Sequence, residues 1–371
     1  MNSEGLFDGR RKRVAIISPN PLTIAGGVER GNYYLKQALD KEGYEVIVYD
    51  KTSLKDSQAK LWDFFRMAGP RVSYLLGKEF KKQKNEIDLV ITNGMLGWYV
   101  NFSPAISINH GAISSFAKAV KKKSSLLAYL KLRYIHSFFE KVSHHGKVVV
   151  STSKSSANEL KQEYRIKSDC IIERGIDVNH FKPLNSKFSL RKKFSLPLHK
   201  FLGIFVGRID PSKGADIIEK VSYCLENDTK IVALVRGGGK FCTDRIITLR
   251  NLPYQELPLL YNACDFSIVA SRHEGFGLVF LESMGCGLPF IFSKVGYANE
   301  ILETEPKFRE FILTNPNPAE IVRKINRLKR NAQLQFELGV KAREYVLKNN
   351  SLEIFKKKWL NVVKSLIEEK S

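Results

Sequence analysis

The stretch Glu274–Pro289, EGFGLVFLESMGCGLP, follows a short β-branched apolar run, Phe266–Ala270, and precedes another, Phe290–Ser293. The first run has the length of a buried strand, Gly275 and Gly277 break the chain, and Leu278–Met284 reads as a helix. Together they form one βα step. Glycines in such a turn let backbone N–H groups approach a ligand, and the helix N-terminus favours an anion. Glu274 before the turn and Glu282 within the helix add carboxylates suited to neutral hydroxyl groups. Their spacing alone carries no information; their place around a strand–turn–helix does.

The same rhythm extends in both directions. Val14–Ser18, Glu45–Tyr49, Asp88–Thr92, Ala105–Asn109 and Lys147–Ser151 read as strands, with helical patterns such as Gly27–Leu39 and Ser155–Tyr164 between them. After Pro183 a second series begins: Phe201–Val206, Lys230–Val235, Arg245–Leu249, Phe266–Ala270, Phe290–Ser293 and Phe311–Thr314. Strand–helix alternation predicts parallel sheets covered by helices, and two series predict two α/β domains of Rossmann-like type. The boundary is expected near Pro183–Ser189, in the aperiodic polar stretch Lys182–Lys187. From Pro318 the pattern is helical, over Ala319–Ala332, Leu334–Leu347 and Ser351–Glu369.

The 371 residues exceed the size at which one core is expected. Sixty basic against 38 acidic side chains give a net charge of +22, which calls for an anionic partner: nucleic acid, anionic membrane or a phosphorylated substrate. Nucleic acid is disfavoured, because no interleaved aromatic–basic motif and no zinc spacing is present. Five cysteines without a close C-x-x-C pair argue against a disulfide framework or a zinc site and for a reducing, cytoplasmic setting. No window approaches a membrane-spanning apolar run.

In open parallel sheets, ligands bind where strands run into loops at their carboxyl ends. Three such loops stand out. Pro19–Glu29 carries Gly26 and Gly27, which free the backbone to close over an anion at a helix start, without being a G-x-G-x-x-G fingerprint. Gly207–Gly214, GRIDPSKG, places Arg208 and Lys213 around a Pro turn, two cations able to hold a diphosphate. The third is the acidic loop already described.

GRIDPSKG together with EGFGLVFLESMGCGLPFIFSKVG closely resembles the retaining glycosyltransferases of family 4. Supporting pieces occur in the expected order: GGVE at 26–29, His110 in INHG, STSKSSANEL at 151–160 and RGIDVNHFKP at 174–183. The resemblance implies the GT-B fold, two Rossmann-like domains with parallel sheets facing each other across a cleft that binds a nucleotide-diphosphate sugar. It implies an acceptor-side domain over 1–185, a nucleotide-sugar domain over 186–350, and a final helix, 351–371, packing back toward the N-terminal domain. Arg208 and Lys213, preceded by Gly207, would bind the diphosphate and stabilise the leaving group. Glu274 would meet the sugar hydroxyls, Glu282 the ribose and His110 the transferred sugar. The amides of Phe276, Gly277 and Leu278 would complete the phosphate site, and Gly26 and Gly27 would close over it. Two departures stand out: Arg174 replaces the family's usual asparagine, placing a cation near the interdomain hinge, and Gly296-Tyr297 replaces a Gly-Gly pair, narrowing the acceptor side.

The resemblance implies transfer with retention. No D-x-D triplet occurs, so Lys213 and Arg208 are expected to replace a metal, and no cofactor is expected beyond the sugar donor. A same-fold phosphorylase or nucleotide-sugar epimerase is the alternative enzyme; a basic nucleic-acid-binding protein is a remote one. The expected acceptor is a glycan or a lipid-linked group in envelope polysaccharide or glycolipid synthesis. Phe116–Tyr134, FAKAVKKKSSLLAYLKLRY, mixes six cations with Leu126, Leu127, Tyr129, Leu130 and Leu132. It reads either as a core-packed helix with a solvated basic face or as a peripheral anchor on the anionic inner face of a membrane. Leu61–Lys84, with Trp62, Phe64 and Phe65 beside Arg66, Arg71, Lys78, Lys81 and Lys82, invites the same two readings.

Overall fold

The computed structural model describes residues 10–23, 26–55 and 69–369. Among these residues, twelve strands form two six-stranded sheets. The first contains β1 (Arg13–Ile17), β2 (Glu45–Tyr49), β3 (Leu89–Asn93), β4 (Ala105–Asn109), β5 (Val148–Ser151) and β6 (Cys170–Ile171), in the order β2-β1-β3-β4-β5-β6. The second contains β7 (Phe201–Arg208), β8 (Thr229–Arg236), β9 (Ile246–Leu249), β10 (Phe266–Val269), β11 (Phe290–Ser293) and β12 (Ile312–Leu313), in the order β12-β11-β10-β7-β8-β9. Every residue of β3, β4, β10 and β11 is buried. Parallel strands covered on both faces need such predominantly apolar runs, in which only small polar residues such as Ser107 and Ser267 intervene.

The chain divides into two compact units. One comprises Met1–Ile108, Phe138–Val150 and Lys356–Ser371; the other comprises Asn109–Ser137 and Ser151–Phe355. Within the first, the helix Gly27–Lys41 buries Tyr34, Leu35, Ala38 and Leu39 at helical spacing. Lys364 of the final helix, Leu352–Glu368, pairs with Glu42 at 2.8 Å. Within the second, one continuous core runs from Ile176 through the sheet to Val346.

Local chemistry explains the shifted boundaries. Asp88 is not part of β3, because its carboxylate accepts the Arg13 N–H at 2.7 Å. The helix expected over Ala319–Ala332 spans Pro318–Lys329. Asn331 then accepts the Leu334 N–H at 2.9 Å, so it caps the following helix, Ala332–Asn349, rather than continuing the previous one. The two-residue β6 is too short to leave a periodic signal.

The first unit also buries a histidine. His144 is 2% exposed, with Nδ1 2.9 Å from Ser107 Oγ and Nε2 without a hydrogen-bond partner among the described residues. Burial, followed by the nearby Lys147 charge, pushes its pKa down to about 4. A folded-state value below the ordinary one leaves full stability above about pH 6.5 and removes it as pH falls toward 4. Relative to His144→Gln, the wild-type protein should lose about 2 kcal/mol of stability between pH 7 and pH 5. Denaturant melts of both proteins at the two pH values measure this; parallel losses would refute the assignment.

Candidate functional site

The order of the second sheet reverses between β7 and β10, which are hydrogen-bonded neighbours, while the chain proceeds outward from each. At such a switch point the loops leaving the two strands diverge, and a ligand fits between them. These loops are Ile209–Gly214 and Ala270–Gly277.

Strand β7 runs two residues further than its apolar pattern, so that Arg208 pairs in register with Arg236 of β8. Asp210 then organises the turn. Its carboxylate accepts from Arg208 Nε at 2.7 Å, Ser212 Oγ at 2.5 Å and the Lys213 N–H at 3.1 Å. Gly214 has φ +68°, and a Cβ there would lie 2.0 Å from the Ala270 carbonyl oxygen. Only glycine permits this approach. Arg272 closes the seam from the other side. Its N–H donates to Ser212 O at 2.8 Å, and its guanidinium grips Asp216 at 2.7 and 2.8 Å and Pro211 O at 2.7 Å.

The two loops bring Lys213 and Glu274 together. Lys213 Nζ lies 2.6 and 2.8 Å from the two Glu274 oxygens, and Ser271 Oγ donates to Glu274 Oε1 at 2.7 Å. The Glu274 side chain is 8% exposed, Lys213 23% and Arg208 59%. The buried carboxylate is therefore neutralised by a cation that retains contact with solvent, and a second cation stands in the open beside it. Glu282, in the helix Leu278–Gly285, is buried and accepts from Tyr261 OH at 3.2 Å. Gly277, at φ +92°, caps that helix.

His110 reaches this site through its backbone. A Cβ on Gly275 would lie 1.5 Å from His110 O, so the acidic loop packs directly on the residue after β4. Arg174 Nη2 donates to His110 Nδ1 at 2.9 Å. This cation is thus buried and bonded to the histidine. Glu159 completes the surround, accepting from the Ala112 N–H at 2.9 Å and lying 3.2 Å from His273 Nε2.

Several expectations change. Tyr297 does not narrow an open face: it is buried, stacked on Phe276 at 4.5 Å and bonded through its hydroxyl to Asn350 at 3.2 Å. Gly26 is extended, and a Cβ there would lie 1.9 Å from Glu29 Oε2, so in the first unit it makes room for that carboxylate. Gly27 begins the helix and is exposed. Of Leu61–Lys84, Trp62, Phe64, Phe65 and Arg66 lie outside the described residues. The helix Pro70–Lys81 buries Val72, Leu76 and Phe80 and exposes Arg71, Lys78 and Lys81, a core-packed helix with a solvated basic face. Around Leu126–Leu130 and the π-helical Lys131–His136 the core-packed reading fails: Leu126 and Leu127 are 71% and 77% exposed, Tyr134 63% and Ile135 52%.

Sequence reading missed Ser271, Arg272, Asp210 and Glu159, which position the charged groups. Asp210-Pro211-Ser212 carried a turn signal that could have identified Asp210. It also passed over the exposed loop Gly237–Gly239 after β8, whose first and third carbonyls accept from Arg250. Among the described residues, no group of three or more His, Cys, Asp or Glu side chains is arranged to hold a metal ion.

Comparison with known proteins places this geometry in a family. Residues 186–345 match the family described as glycosyl transferases group 1, and residues 25–180 match Glycosyltransferase Family 4. A D-inositol 3-phosphate glycosyltransferase of Salinispora tropica is 27% identical over 252 residues, covering 57% of this chain and 50% of the relative. The chain spans about half the length of the first curated relatives it matches. The structure of sucrose-phosphate synthase from Thermosynechococcus elongatus aligns with a TM-score of 0.80 at 19% identity, covering 97% of this chain and 100% of that one. Anabaena HepE in complex with UDP-glucose aligns with a TM-score of 0.69 at 18% identity, covering 95% and 99%. Two six-stranded parallel sheets, the switch-point loops and both family matches agree: the chain belongs to glycosyltransferase family 4 and has the GT-B fold.

Proposed function

We propose that the protein transfers a sugar, with retention and without a divalent metal, from a nucleotide-diphosphate donor to a glycan or lipid-linked acceptor. The observation that carries this reading is the Lys213–Glu274 pair beside Arg208 at the sheet's switch point. Diphosphate oxygens meet the Lys213 ammonium and the Arg208 guanidinium, which exchanges Asp210 for the ligand. The amides of Phe276, Gly277 and Leu278 add the partial positive charge of a helix N-terminus. As the bond to phosphate breaks, these fixed charges stabilise the departing diphosphate.

Glu274 accepts from the sugar hydroxyls. Its bonds to Lys213 and Ser271 hold it as an acceptor of hydrogen bonds and disfavour a nucleophilic role. Glu282 accepts from the ribose, and His110 contacts the transferred sugar. UDP is the first nucleotide to test, because the HepE structure is a UDP-glucose complex.

The acceptor side is read from the insert between β4 and β5. Exposed Leu126, Leu127, Leu130, Tyr134 and Ile135 stand beside exposed Lys121, Lys122 and Lys123. Apolar side chains rimmed by cations suit an anionic bilayer surface, each cation contributing about 1 kcal/mol there. This supports a lipid-linked acceptor in envelope polysaccharide or glycolipid synthesis, reached from the cytoplasmic face. No helix of the described residues is long and apolar enough to cross a membrane.

Lys213→Ala should lower turnover by roughly 100-fold or more, with the fold retained by circular dichroism; unchanged turnover would refute the phosphate role. Wild-type turnover should survive EDTA undiminished, whereas loss restored by Mg²⁺ would contradict metal independence. In flotation at low salt, the protein should rise with anionic vesicles, and L126S/L127S should weaken recovery by roughly tenfold or more. Equal recovery with neutral vesicles would remove the membrane reading.

A further inference from the structure

His110 occupies a position where its chemistry depends on which ring nitrogen carries hydrogen, and a part-buried contact with Arg174 bears on that. Arg174 is 5% exposed, and its Nη2 lies 2.9 Å from His110 Nδ1. A guanidinium is always charged and only donates hydrogen bonds. Nδ1 must therefore present its lone pair, and the ring hydrogen must sit on Nε2. An asparagine at this position would offer both a donor and an acceptor, so it would permit either tautomer and the imidazolium. Arginine permits one form.

The surroundings hold this pair in place. Asn350 Nδ2 donates to the Arg174 carbonyl at 3.1 Å, and the neighbouring Ile176 N–H donates to Asn350 O at 2.9 Å, which fixes the backbone carrying the guanidinium. His110 is fixed through its own carbonyl, against which Gly275 packs. Among the described residues, the charged and titratable groups placed near the segment include Glu159 and His273 beside Gly111, Glu274 one residue before Gly275, and Glu173 preceding Arg174 in the chain. Glu159 is engaged by Ala112 N–H and His273, and Glu274 by Lys213 and Ser271.

We infer that Arg174 is a positioning residue that locks His110 as a neutral imidazole whose Nε2–H donates to an oxygen of the transferred sugar. The assignment of sugar as the recipient rests on the glycosyltransferase reading; the lock itself does not. It also fixes what His110 does not do: with Nδ1 covered by a cation and Nε2 already protonated, the ring cannot serve as a general base.

Selective 15N labelling of the seven histidines, with His110 assigned by its loss in His110→Gln, reads the lock directly in the wild-type protein. At pH 6, where an ordinary histidine of pKa ~6.5 is mostly protonated, His110 should remain neutral with a pyrrole-type Nε2 and a pyridine-type Nδ1. An imidazolium or an Nδ1–H ring at that pH would overturn the proposal. In Arg174→Asn the same ring should become largely protonated at pH 6. Its kcat should fall roughly tenfold while the donor KM stays within about twofold, and Arg174→Lys should restore part of kcat. Equal kcat in Arg174→Asn and wild type would overturn the sugar contact. Should the wild type bind no nucleotide in a melting assay, the proposed donor site fails while the spectrum still decides the lock.

Discussion

The site depends on one close approach of backbone to backbone. Gly214 lies against the Ala270 carbonyl at a distance that no side chain would allow, and this seats the cationic loop on the end of β10. Arg272 reinforces the contact by bonding to Ser212 O and Pro211 O. With the seam closed, Lys213 has Glu274 within hydrogen-bond reach through both oxygens. The pair is mutually dependent: removing the lysine would strand a buried carboxylate, at a cost of about 3–5 kcal/mol for fully buried pairs and less here because Lys213 keeps some solvent contact. A site arranged in this way is ordered before any ligand arrives. An anionic ligand there would meet a Lys213 ammonium whose position is already set, the condition under which electrostatic stabilisation is most effective.

Much of this was legible in the chain. Parallel strands buried on both faces are mostly apolar and admit only small polar residues such as Thr92, Ser107, Ser267 and Ser293, so β3, β4, β10 and β11 announced themselves. The loops after β7 and β10 drew notice because charged residues and glycines followed directly on apolar runs. What stayed hidden was relational. Nothing in the order of residues says that Gly214 faces Ala270, that Gly275 faces His110, or that Arg174 reaches His110 across 64 positions. Tyr297 looked like an obstruction because its partner Phe276, twenty-one residues earlier, could not be placed without the fold. The two basic amphipathic stretches differ for the same reason. Composition describes both alike, but Val72, Leu76 and Phe80 find a core, whereas Leu126 and Leu127 remain exposed.

The excess positive charge resolves into different kinds of lysine and arginine. Some are taken up locally, as where Lys329 and Arg330 bracket Glu226 and Asp228. Such exposed pairs are worth little to stability. Others are structural, such as Arg272 and Arg174, whose planar forks each fix the geometry of a neighbouring group. Arg208 is of a third kind. It is mostly exposed and, among the described residues, paired with Asp210 two residues away, so turning toward a ligand would cost it that surface ion pair.

The most direct test of the donor site is the melting temperature of the protein with UDP, GDP or ADP, each without metal and at low salt. Binding at a hundredfold excess over Kd to the native state alone adds about 2.7 kcal/mol of stability. One nucleotide should raise the melting temperature of the wild-type protein clearly, and the same nucleotide should do so weakly or not at all for Lys213→Ala. A folded wild-type protein that responds to none of the three, or a Lys213→Ala variant that responds as strongly as wild type, would contradict a diphosphate site built on Lys213.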